Sequence, residues 1–146
     1  MGALQRAVYD TTILVSGIVA TMDPIALVIN AVISGQVELV ISPYILEELR
    51  RTLTSKQYFL DRITEEEREK YLSSLDAVAT LITPYREISG IVTDPNDDPI
   101  IDLAISARVE YLVTGDKRIL AVGEYEGAKM LTAREFYDVL NQQADS

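Results

Sequence analysis

Apolar positions along this chain change period repeatedly, from the short solid runs of strands to the three-to-four spacing of helices. Residues 6–9 form a β-type run that stops at Asp10, and the apolar residues after it have helical spacing, interrupted at Ser16-Gly17. Pro24 suits the first turn of a second helix, on which Ile25, Val28, Ile29, Val32 and Ile33 keep the i, i+3, i+4 rule until Gly35 ends it. Residues 37–41 are the next strand. Ser42-Pro43 then supplies an N-cap with proline at the first helical position, opening a helix that carries Leu46, Leu49 and Leu53. Thr64 and the three glutamates after it mark another helix start, with Tyr71, Leu72, Leu75, Val78 and Ala79 as its apolar stripe. Residues 81–83 read as a brief strand before Pro84, residues 86–96 as a connection, and Asp98-Pro99 as the restart of a helix. A buried strand over 111–114, a short helix over 117–122, a last strand over 128–131 and a capped helix over 132–140 complete the pattern.

Strands alternating with helices, with no glycine-rich hairpin, predict an α/β sandwich: a parallel sheet with helices on both faces, in one domain spanning 1–146. The most apolar stretch, residues 13–33, is divided by Asp23-Pro24 and contains Asn30, so it reads as two buried helices and not as a membrane span. The N-terminus reaches Asp10 without the apolar run of a secretory signal, and the expected location is the cytoplasm.

Composition narrows the chemistry more than the fold. There is no Cys and no His, so thiol nucleophiles, Ser-His-Asp triads and histidine-bound zinc or non-haem iron are excluded. Any acid, base or metal chemistry falls to carboxylates, hydroxyls, Lys, Tyr and water, which favours hard, oxygen-ligated cations such as magnesium or manganese. Thirteen basic residues against 23 acidic ones give a net charge of -10. A grip on nucleic acid must therefore be local.

Carboxylates recur just beyond predicted strand ends: Asp10 after the first strand, Asp116 after 112–114, and Asp94, Asp97 and Asp98 where a helix restarts. In open parallel sheets that edge forms the ligand cleft. Acids meeting there repel one another unless a cation neutralises them, whereas each alone reads as a helix cap. On the helix after Ser42, the apolar stripe centres near Ile45 and Leu49. Helical phase puts Glu48 on its flank and Glu47 almost opposite, with Arg50 and Arg51 as ordinary surface partners of Glu47. Glu48 is the candidate that faces the cleft.

Taken together, Val8-Tyr9-Asp10-Thr11-Thr12, the helix with Glu48-Leu49, Asp94-Pro95-Asn96-Asp97-Asp98 and Val113-Thr114-Gly115-Asp116 with Lys117 resemble a PIN domain over nearly the whole chain. The branch they resemble is the one known for toxin components of toxin–antitoxin pairs. The resemblance implies an α/β/α sandwich with parallel strand order 3-2-1-4-5, and a magnesium- or manganese-dependent ribonuclease. It assigns Asp10, Glu48 and Asp116 to the first, second and fourth acids. The third is Asp97 or Asp98; Asp97 is preferred because Asp98, before Pro99, suits an N-cap. Asp94 and Asp102 are outer partners of the acids or plain surface groups. Thr12 stands where members commonly have Asn or Ser, keeping a hydroxyl for the acids but losing an amide donor; Thr114 is the other hydroxyl beside them.

Under that reading, one or two cations held by the acids, at Asp10, Glu48, Asp97 or Asp98, and Asp116, would activate water for phosphodiester hydrolysis. Residues 50–62 hold Arg50, Arg51, Lys56 and Arg62 against Asp61 alone, with Tyr58 and Phe59 interleaved as stacking groups for RNA, or else form a solvated helix end with packed aromatics. Lys117 and Arg118 are the other expected phosphate contacts. The resemblance also implies a homodimer and an antitoxin partner, and the apolar richness of residues 13–33 suggests a helix face left for a second subunit. A haloacid-dehalogenase-like phosphatase would need a second Asp where Thr12 stands, and a receiver domain would need an acceptor Asp near 81–84. The remaining alternative is a catalytically weak PIN fold acting as an RNA- or protein-binding module.

Overall fold

The computed structural model describes residues 4–84 and 98–144. Along the chain run β1 (Gln5–Tyr9), α1 (Thr11–Gly17), α2 (Pro24–Ile33), β2 (Val37–Ile41), α3 (Pro43–Ser55), α4 (Gln57–Arg62), α5 (Glu65–Val78) and β3 (Thr80–Leu81). After residues 85–97 come α6 (Asp98–Ser106), β4 (Tyr111–Val113), α7 (Lys117–Val122), β5 (Glu124–Tyr125), β6 (Ala128–Leu131) and α8 (Ala133–Ala144).

Local chemistry accounts for most of these boundaries. Asp23 and Ser42 each accept a hydrogen bond from the backbone three residues on, Ala26 N–H at 3.0 Å and Ile45 N–H at 3.1 Å, and each precedes a proline in the first helical turn. Thr64 and Glu67 form a reciprocal capping box that starts α5. Lys56 is extended (φ -82°, ψ 124°), which breaks the helical run over 43–62 into α3 and α4, a division the apolar spacing does not reveal.

The strands lie in the order β3-β2-β1-β4-β6-β5. The first five of these form a parallel sheet with the expected connectivity, β6 serving as the fifth parallel strand. The expected order is corrected at its edge, where β5 adds an antiparallel strand in register Tyr125↔Ala128. The two-residue turn Glu126-Gly127 makes this possible, because both residues have positive φ (47° and 89°), the twist that a tight hairpin requires. Glu in the first of these positions is not a usual turn signal, so the hairpin was not expected.

Ala7, Tyr9 and Tyr111 share one face of the sheet, Ala7 being paired with Tyr111. There Phe136 of α8 meets both tyrosine rings, edge-on to Tyr9 at 6.0 Å and tilted to Tyr111 at 5.3 Å. The Tyr9 hydroxyl donates to Val28 O of α2 at 2.8 Å, so α2 and α8 pack together over this face. Val8 and Leu112, on the other face, are also buried, as a parallel sheet covered on both sides demands. Residues 13–33 do form two helices, and among the described residues no helix is long and apolar enough to cross a membrane. Val28 and Val32 are 0% and 1% exposed within the single chain, so these two belong to its core, while Ile33 at the end of α2 is 42% exposed.

Candidate active site

The chain leaves β1 towards β2 on one side of the sheet and later returns to place β4 on the other, so β1 and β4 flank the switch point. Asp10 stands at that point. Its N–H donates to Val113 O at 2.8 Å, extending the β1–β4 ladder by one residue, and its carbonyl accepts the first hydrogen bonds of α1 from Ile13 and Leu14. By position it is a helix cap, yet its side chain does not cap α1. The carboxylate instead accepts a 2.7 Å hydrogen bond from the Thr114 hydroxyl, 104 residues away in sequence.

Thr114 is fully buried just past β4 and joins two acids. While its hydroxyl donates to Asp10, its Oγ1 accepts from the Asp116 N–H at 3.0 Å, so the loop after β4 is tied to the end of β1. The Asp116 carboxylate accepts from the Arg118 N–H at 2.8 Å and caps α7. Cap and cleft acid are therefore compatible descriptions of one residue.

The third carboxylate comes from α3. Ile45, Leu49 and Leu53 face the core, Glu47 is exposed and Glu48 is half-buried, as helical phase predicts. The row Tyr44, Glu48, Thr52, spaced four residues apart, forms one wall of a cleft of about 350 Å³. Asp10, Asp116 and residues of α1, among them Thr12 and Ser16, line the rest with Ile100. Burial is the largest influence on the Asp10 carboxyl and pushes its pKa up from 3.8. Hydrogen bonds from Thr114 and the Thr11 amide pull it down, and the negative charges of Asp116 and Glu48 push it up again. Burial also raises the pKa of the Tyr44 phenol, with a hydrogen bond to Glu48 and that group's charge adding to the shift.

Thr12 is exposed at the cleft. Asp98 is the first residue of α6, with Pro99 second, and not the residue preceding the helix. Asp94 and Asp97 lie outside the described residues. Asp102 is not a surface acid: it is buried on α6, accepts from the Ser106 hydroxyl at 3.3 Å and does not line the cleft. Among the described residues no three acids are gathered closely enough to hold a metal ion.

The expected RNA contacts divide. Lys117 and Arg118 are exposed beside Asp116, with Arg118 Nε 3.6 Å from its carboxylate. Arg51 lies near enough to Tyr44 to lower its pKa. Arg50 turns towards α5 and pairs with Glu69 at 3.2 Å, replacing the expected local pairing with Glu47. Lys56 is exposed at the α3–α4 junction. Phe59 is not a stacking group, because it is buried in the core and meets Tyr58 edge-on at 5.0 Å. Tyr58 is half exposed, with the Arg62 guanidinium 3.8 Å above its ring. Sequence reading did not single out Tyr44 as a cleft residue; its place one helical turn before Glu48 was the available signal.

No curated protein matches this chain. The crystal structure of PAE2754 from Pyrobaculum aerophilum superposes with a TM-score of 0.64 over 96% of this chain and 97% of that one; at 18% identity, the likeness is one of fold. The PIN domain family matches residues 6–118, a span that runs from β1 through Asp10, Glu48 and Thr114 to Asp116. By that match the chain belongs to the PIN domain family, whose members are typically nucleases.

Proposed function

We propose that the chain is a magnesium- or manganese-dependent endoribonuclease, the toxin component of a toxin–antitoxin pair. The observation that supports this reading best is Asp10, a buried carboxylate at the sheet's switch point, held by Thr114 and facing the negative charges of Glu48 and Asp116. Such a group repels a phosphodiester until a cation intervenes, and its all-oxygen donors suit a hard divalent ion. A bound cation would activate water and offset charge developing on the phosphate. Asp10, Glu48 and Asp116, too far apart as they stand to hold it by themselves, would hold it together with Asp97 or Asp98, while Thr114 fixes the Asp10 carboxylate and Lys117 and Arg118 meet the RNA backbone. The toxin assignment rests on the resemblance of the motifs. An antitoxin would reach the acidic cleft with Arg or Lys.

The test is cleavage of a labelled RNA by purified protein with magnesium, with manganese and with chelator. Cleavage should require the cation, and Asp116→Asn should abolish it while leaving the fold intact, since Asn also caps helices. Cation-independent cleavage retained by Asp116→Asn would end the proposal. In the same series Asp97→Asn should lose activity and Asp98→Asn should keep most of it; the reverse ranking would assign the third acid to Asp98. Exposed Thr12, in place of the usual Asn or Ser, favours the second reading of a weakly catalytic RNA-binding module. RNA binding without cleavage under either cation would establish that alternative.

A further inference from the structure

Asp10, Glu48 and Asp116 line the cleft, and Asp116 already has a positive partner. The carboxylate is half-buried, Arg118 is exposed, and Arg118 Nε lies 3.6 Å from Asp116 Oδ1. The same oxygen accepts the Arg118 main-chain N–H at 2.8 Å. Residue 118 thus serves this acid twice, once through its backbone and once through its charge. The two roles are separable. The N–H caps α7 whatever side chain it carries, and the Asp116 N–H is held independently by Thr114 Oγ1 at 3.0 Å, so the acid keeps its place when the guanidinium leaves. At 3.6 Å the guanidinium supplies charge and not a hydrogen bond, and an exposed pair of that kind is weak enough to exchange. Lys117, equally exposed, makes no ion pair among the described residues.

We propose that Arg118 is an exchangeable counterion, which offsets the charge of Asp116 while the acids hold no cation and turns to the RNA phosphate once a divalent ion takes over that carboxylate. This rests on the nuclease reading above and gives Arg118 a place in its order of events. A guanidinium and a divalent ion drawn to one carboxylate repel each other across a few ångströms, so each weakens the other's hold. The guanidinium, on a long and exposed side chain, is the one able to move. A phosphodiester brought to the cleft offers it a new negative partner, which its planar fork fits. The coupling is reciprocal: Arg118 lowers cation affinity in the absence of RNA, and RNA restores that affinity by drawing Arg118 off Asp116.

The experiment titrates Mn²⁺ into the chain without RNA and counts the unbound ion by electron paramagnetic resonance, at low and at high potassium chloride. Arg118→Gln removes the charge and keeps the main-chain cap, Arg118→Lys keeps the charge, and Lys117→Gln removes an equal charge one residue away. Circular dichroism shows that each variant is folded. At low salt Arg118→Gln should bind Mn²⁺ on the order of threefold to tenfold more tightly than wild type, and the gap should close at high salt. Arg118→Lys and Lys117→Gln should stay within about twofold of wild type, the first because the charge remains and the second because it has no ion pair to lose. With Mn²⁺ saturating, Arg118→Gln should raise KM for a labelled oligoribonucleotide about threefold or more, through the lost phosphate contact. Equal Mn²⁺ affinity in wild type and folded Arg118→Gln, the same gain in Lys117→Gln, or an unchanged KM in Arg118→Gln overturns the inference and leaves the nuclease reading standing. Absence of Mn²⁺ binding or of cation-dependent cleavage by wild type overturns that reading, and this inference with it.

Discussion

Asp10 has two neighbours of its own sign and sits 8% exposed, held by the Thr114 hydroxyl. Its carboxyl ionises at higher pH in the folded chain than in the unfolded one, with burial as the main cause. The ionised group therefore counts against folding at neutral pH, and that penalty disappears once pH falls below the ordinary value of 3.8, where both states are protonated. In chelating buffer Asp10→Asn should melt at a higher temperature than wild type at pH 7, since Asn still accepts from Thr114. The difference should close as pH is lowered through the carboxylate range. Thermal melts across pH check this, and a wild type that melts higher at neutral pH would show that the cluster is not repulsive. Asp10 and Glu48 were legible in the sequence because a strand end and a helical phase are local properties. Tyr44 was passed over because its ring reads as an apolar residue, although its phase, one turn before Glu48, is that of the cleft wall.

At the scale of elements, the junction of α1, α2 and α5 depends on a glycine. A Cβ at Gly17 would lie 2.6 Å from the Tyr71 hydroxyl and 2.7 Å from Ile29 Cγ1, closer than packed atoms approach. The Tyr71 hydroxyl already donates to Leu14 O at 2.6 Å, so it cannot withdraw without losing that bond. Gly17→Ala should cost about 1–3 kcal/mol by overpacking, despite alanine's better helix propensity. Urea denaturation measures it, and a neutral or stabilising result would mean that α1 shifts freely against its neighbours. In the sequence Gly17 was visible only as an interruption; its packing reason needs α5, more than fifty residues away. The same distinction explains β5, whose hairpin depends on Glu126 accepting a positive φ that the residue type does not advertise.

For the whole molecule, the packing of α2 against β2, α5 and α8 changes the case for self-association. Val28 and Val32 belong to the core of one chain, so the proposed homodimer stands mainly on the family resemblance. Light scattering at micromolar concentration should give about twice the 16.2 kDa chain mass. A stable monomer at that concentration would refute the dimer and leave the core unaffected.

The order and type of most elements were determined by the sequence itself, because period, caps and proline placement act within a few residues. So was the bias towards oxygen chemistry, since a chain without Cys or His lacks the thiolate and imidazole that softer cations take most often. Only the tertiary structure decided which acids meet and what holds them. The bond from Thr114 to Asp10 spans 104 residues and exists because β4 pairs with β1 in the register Tyr9↔Val113. With both sheet faces covered, β1 and β4 are buried at successive positions and show no in-out alternation, so the local hydrophobic pattern does not fix their register.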